Sequence, residues 1–147
     1  MGIFDFLQKN VENLDLKKIR KEYSEFDQTS KNVYDIKNTY DNLSDGLKYL
    51  KSTKMKVDGI VYTLYGNGFC KLRTEITYEQ GIVYRMKWWY EKGQLKSDTE
   101  YKDGEDLNGL EKKWWENGRL MREVLWDDEQ IVSEEYRDKE GNKVDYI

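Results

Sequence analysis

Histidine is absent from this chain, and the side chains best equipped for chemistry are its carboxylates and aromatics. Without imidazole, no side chain has an ordinary pKa suited to proton transfer near neutrality. No Ser–His or Cys–His nucleophile can be assembled, and the single Cys70 cannot found a Cys/His metal cluster. The densest acids are Asp127-Asp128-Glu129 and Glu134-Glu135. Adjacent acids in a turn are ordinarily solvated. The expectation is therefore a protein that is not an enzyme and carries no cofactor and no metal, with Cys70 a small packed residue.

The surplus is aromatic: 12 Tyr, 5 Trp and 4 Phe in 147 residues. Trp and Tyr are frequent anchors of protein interfaces, so this points to recognition. Neighbours in a strand face opposite ways. Trp88 and Tyr90 then share one face with Trp89 on the other, and Trp114 and Trp115 are likewise split. Both faces of a sheet would carry an aromatic row, and whichever stays uncovered would be a docking surface. The candidate anchors are Trp88, Tyr90, Trp115 and Trp126. Trp88 stands out because the positions 25 residues before and after it are Thr63 and Lys113. Trp126 is followed by Asp127, Asp128 and Glu129, which suit a basic partner.

The elements that must position these residues repeat. Trp89-Tyr90-Glu91-Lys92-Gly93-Gln94-Leu95 returns as Trp114-Trp115-Glu116-Asn117-Gly118-Arg119-Leu120. Leu64-Tyr65-Gly66-Asn67-Gly68 is a third copy, and Tyr136 to Gly141 a degraded fourth. The marker glycines Gly68, Gly93, Gly118 and Gly141 are spaced 25, 25 and 23 residues apart. A second turn follows within each unit, with Gly81, Gly104 or Glu129 three residues after an aromatic. Such periodicity is the mark of stacked supersecondary units. Asn-Gly and Asp-Gly pairs between β-forming residues predict antiparallel hairpins. Met55-Lys56-Val57 and Ile60-Val61-Tyr62, around Asp58-Gly59, are expected to form the first of them.

Tyr101-Lys102-Asp103-Gly104, Asn108-Gly109-Leu110 and Lys113-Trp114-Trp115-Glu116-Asn117-Gly118 with Leu120 resemble the bacterial variant of the MORN repeat, found in YwqK-type antitoxins among others. The resemblance covers about residues 60–144. It implies a single-layer antiparallel sheet of three to four hairpins that binds another molecule, and the role of an antitoxin or immunity protein that neutralises a cognate toxin by direct binding.

Upstream, Phe4, Leu7, Val11 and Leu14, then Leu16, Ile19, Tyr23 and Phe26, follow helical spacing. Val33, Ile36, Tyr40, Leu43, Leu47 and Leu50 keep an a/d stripe. The predicted fold is thus α+β: an N-terminal helical hairpin, residues 1–55, followed by a β-meander of MORN-like repeats, residues 56–147. The stripe either packs within the monomer or joins residues 30–51 to a second copy as a homodimer. Residues 1–60 carry 11 basic and 10 acidic side chains (net +1), and residues 61–147 carry 14 and 19 (net −5). An acidic repeat region disfavours nucleic acid and anionic membrane as partners and favours a basic protein such as a toxin. No signal-peptide pattern opens the sequence, and a lone cysteine fits a reducing cytoplasm. The alternative is a scaffold or membrane-adjacent module that docks on lipid or self-associates through its N-terminal helices.

Overall fold

The segment predicted to hold the second helix is β structure. The computed structural model describes residues 32–66, 71–104 and 106–147, and among these there is no α-helix. Strand β1 (Val33–Asp35) leads through one 3₁₀ turn, Ile36–Asn38, to β2 (Thr39–Asp41), and β3 (Lys48–Leu50) follows. The a/d stripe is thereby dismantled as a helical seam, whether for packing within the monomer or for a coiled coil: Leu43 is 98 % exposed in a turn. The reason is local chemistry that the stripe ignored. Asn and Asp compete with helical hydrogen bonds by bonding nearby backbone. Asp35 Oδ1 accepts from Lys37 N at 2.9 Å, Asn42 Oδ1 from Ser44 N at 2.9 Å, and Asp45 Oδ1 from Leu47 N at 2.9 Å. The helix expected over residues 3–26 lies outside the described residues. Over the described residues the fold is almost entirely β, not the predicted α+β arrangement.

The chain divides into two units, Met1–Ile82 and Val83–Ile147. In the first, β4 (Gly59–Leu64) pairs in parallel with β1, Val33 opposite Ile60, and antiparallel with β5 (Leu72–Glu79). Strands β2 and β3 form a separate two-stranded ribbon in which Tyr40 and Tyr49 stack with centroids 5.6 Å apart. Val57, Ile60, Val61, Tyr62, Leu72 and Tyr78 are its buried apolar core. The hairpin expected about Asp58-Gly59 does not form: Lys56 bridges to Tyr49, and β4 finds β5 instead. Gly59 has φ +133°, and a Cβ there would overlap the Asn32 carbonyl. That same carbonyl accepts from Ile60 N at 2.9 Å. The glycine permits the close approach that seats β1 beside β4.

The second unit is a meander: β6 (Ile82–Trp89), β7 (Leu95–Lys102), β8 (Asp106–Trp114), β9 (Leu120–Asp127), β10 (Gln130–Arg137) and the short β11 (Lys143–Val144). Each strand pairs antiparallel with the next. Register fixes the two faces, because residues directly opposite share a side. Met86, Thr99, Glu111, Val124 and Glu134 form one row. Lys87, Asp98, Lys112, Glu123 and Glu135 form a row on the other face. The second row is an ion ladder, with Arg85 gripping Asp98 at 2.9 and 2.8 Å and Lys112 on Glu123 at 2.9 Å. Among the described residues, no helix is long and apolar enough to cross a membrane.

Candidate partner-binding surface

One rim of the second unit carries three turns of the same construction. At Tyr90–Gln94, Trp115–Arg119 and Asp138–Asn142, the first residue's N–H bonds the fifth residue's carbonyl, and the fourth residue's N–H bonds the first's carbonyl. The fourth residue is Gly93, Gly118 or Gly141, at φ +97°, +84° and +94°. This is a type I turn closed by a glycine bulge, and the left-handed glycine is its requirement. The 25- and 23-residue spacings of these glycines are therefore the repeat of the fold itself.

Each turn is hydrogen-bonded to the next. Tyr90 Oη donates to the Trp114 carbonyl at 2.8 Å, Trp115 Nε1 to the Arg137 carbonyl at 3.0 Å, and Asn117 Nδ2 to the Lys139 carbonyl at 2.8 Å. Arg119 reaches the Glu140 carbonyl. Cations cover the rings: Lys96 lies 5.5 Å from the Tyr90 centroid and Lys139 5.4 Å from that of Trp115. Burial, and secondarily the charge of Glu116, raises the Tyr90 pKa and keeps the hydroxyl a donor. The third turn has Asp138 where the others have an aromatic. Its carboxylate closes the turn by itself, accepting from Asn142 Nδ2 and N and from Glu140 N, bonds that hold it below the ordinary aspartate range.

Between these turns lies an open groove of about 530 Å³, lined by Tyr90, Trp115, Glu116, Asn117, Met121 and Lys139. Two predicted anchors, Tyr90 and Trp115, are thus brought together. The sequence reading missed their companions Met121 and Lys139. Aligning the degraded fourth unit by turn position, rather than by its missing aromatic, would have placed Lys139 over Trp115.

The other predicted residues lie elsewhere. Trp88 is half-buried on β6 opposite Ser97, beside a bulge. Trp126 sits on β9 between Gly109 and Ile131. Asp127 is exposed, and Asp128-Glu129 form the two-residue turn into β10 with φ +44° and +63°. Lys102 pairs with Asp128 at 2.7 Å. Strands β8 and β9 separate this rim from the groove by roughly 25 Å at about 3.3 Å per residue. One contiguous patch of all seven residues is not formed.

Trp126 leads to a residue that carries no distinguishing signal in the sequence. Its Nε1 donates to Glu111 Oε2 at 2.9 Å, while Glu111 Oε1 meets Lys113 at 3.1 Å and Arg122 at 3.4 Å. Glu111 is only 7 % exposed. Burial pushes its pKa up, but the Lys113 and Trp126 hydrogen bonds and the Lys113 and Arg122 charges prevail and hold it below the ordinary glutamate range. Arg122 continues to Glu134 at 3.6 Å and lies 5.6 Å from the Tyr136 ring centroid. The cluster braces the aromatic face. Among the described residues, no group of His, Cys, Asp or Glu is placed to hold a metal ion. Comparison with family models, with curated proteins and with solved structures gave no match.

Proposed function

We propose that this protein is a non-catalytic binding module, an antitoxin or immunity protein that neutralises a basic toxin by occupying its surface. The observation that carries the reading is the groove at the turn rim, where Tyr90 and Trp115 flank Glu116 and Met121. Its walls are held by hydrogen bonds between successive turns, so little order need be gained on binding. Aromatic walls with a polar rim suit an inserted side chain of a partner protein. The resemblance of the repeats to MORN-variant antitoxins supplies the class of partner, and the net −5 of residues 61–147 supports a basic one.

The test begins with recovery of a stoichiometric partner from host lysate. Co-expression of that partner alone and with this protein then shows whether its toxicity is relieved. Tyr90→Ala or Trp115→Ala removes one groove wall, and an anchor of this kind is worth about 2 kcal/mol, roughly a thirtyfold loss of affinity. Undiminished affinity in a variant with a native circular dichroism spectrum refutes the groove. A partner whose expression is harmless refutes the antitoxin role.

A further inference from the structure

The turns of the rim are set at a fixed interval. They join β6 to β7, β8 to β9 and β10 to β11, so each lies two strands beyond the last. Neighbouring strands are about 4.8 Å apart, which puts successive turns about 9.6 Å apart. Tyr90 and Trp115 open the first two turns, and each ring reaches across to a backbone carbonyl farther along the sheet, that of Trp114 or of Arg137. Two half-buried rings thus lean the same way, one repeat apart, along one groove with Met121. The third turn opens with Asp138, so the row ends after two rings.

We propose that this groove takes a segment of the partner protein in the polyproline II conformation, Pro-x-x-Pro, with one proline against Tyr90 and the other against Trp115. The inference rests on the reading of the groove as a partner-binding surface and adds what the partner inserts. The interval between the rings selects that backbone. A polyproline II helix turns once in three residues and about 9.3 Å, so the third residue on meets the next ring. A β-strand returns a side chain to one face about every 6.7 Å and misses the second ring. An α-helix is about 10–12 Å across, wider than the interval, and its pitch of about 5.4 Å fits only at every second turn. Charge takes no part in the choice: Glu116 already meets Lys92 at 3.7 Å, and Lys96 and Lys139 lie on the rings. Polyproline II makes no internal hydrogen bonds, so its carbonyls face outward, where the Lys139 ammonium can donate to them. Both sides are ordered beforehand, the segment by its prolines and the rings by their bonds to the next turn.

The probes are two capped peptides of one composition, titrated into the full-length protein by NMR. In Ala-Pro-Ala-Ala-Pro-Ala-Ala-Pro-Ala the prolines recur at every third residue. In Ala-Pro-Ala-Pro-Ala-Ala-Ala-Pro-Ala no two prolines are three apart. The first is expected to bind saturably, one to one, and to shift the Trp115 indole N–H and the backbone amides of residues 90–94 and 115–119. The second binds at least tenfold more weakly. Tyr90→Ala and Trp115→Ala, each leaving one ring, abolish the difference between the two peptides. No saturable binding of the first peptide, equal binding of both, or shifts confined to other residues overturns the proposal. That comparison uses the native protein and so decides the matter whether or not the variants fold. If the partner recovered from lysate loses affinity on Trp115→Ala while the first peptide fails to bind, this inference falls and the groove stands. Undiminished affinity for that partner removes both.

Discussion

Glu111→Gln tests whether a charge, rather than packing, holds the aromatic face of the second unit. The substitution keeps the size of the side chain and an acceptor for Trp126 Nε1, now 2.9 Å from Glu111 Oε2, but removes the charge met by Lys113 and Arg122. Lys113 is half-exposed and recovers water. Arg122, with 21 % of its side chain exposed, keeps Glu134 at 3.6 Å as its carboxylate, besides the Tyr136 ring. Removing one partner of a fully buried pair costs about 3–5 kcal/mol, and an exposed pair is worth under about 1. The geometry lies between, so about 2 kcal/mol is expected at pH 7, a fall in melting temperature of roughly 4–8 °C. The dependence on pH has a definite sign. A carboxyl held below its unfolded pKa stabilises the fold fully above the ordinary glutamate value, about 4.3, and loses that contribution as pH falls through the lower folded value. Urea unfolding of both proteins from pH 7 to pH 3 should therefore show a gap that is constant down to about pH 5 and closes below it. A gap under about 0.5 kcal/mol at pH 7, or one that stays open at pH 3, refutes the role of the charge.

Two further substitutions probe the frame. Glu129 occupies φ +63° at the second position of a two-residue turn where the sibling turns have Gly81 and Gly104. Left-handed backbone costs a non-glycine residue about 1–2 kcal/mol, against about 0.5–1 for the extra freedom of glycine. Glu129→Gly should raise stability by about 0.5 kcal/mol or more in chemical denaturation, and a loss would show that the Glu129 side chain contributes to the fold. Val124 is fully buried, whereas Leu125 next to it is 38 % exposed. Val124→Ala should cost about 2–3 kcal/mol by the methyls lost and the cavity left, and Leu125→Ala under about 1, measured the same way.

Local physics made the turns readable in advance. Gly93, Gly118 and Gly141 each answer a positive φ that the chain needs within five residues, and no distant partner is required to specify it. The same holds for Tyr90 and Trp115, which stand at equivalent places in equivalent turns and meet because the turns stack. Glu111 was unreadable in Leu110-Glu111-Lys112-Lys113, which looks like a solvated charge run. It is buried because register places it between Thr99 and Val124, residues more than ten positions away on either side. Segment 33–50 misled for a related reason. Its apolar spacing satisfies a helical stripe, and only the parallel seat of β1 on β4 and the stacking of Tyr40 on Tyr49 resolve it as strands.

By itself, then, the sequence determined the hairpin repeat, its period and the chemical character of its surface, because a turn and the alternation of a strand depend on neighbours along the chain. Tertiary structure alone decided which side chains share a place. It joined Trp126 to Glu111 and Trp115 to Lys139, held the groove about a strand's length from Asp127, and, among the described residues, left the outer edge of β10 without a pairing strand from Gln130 to Glu135. Those are outcomes of strand register, which is fixed by pairing between residues far apart in the chain.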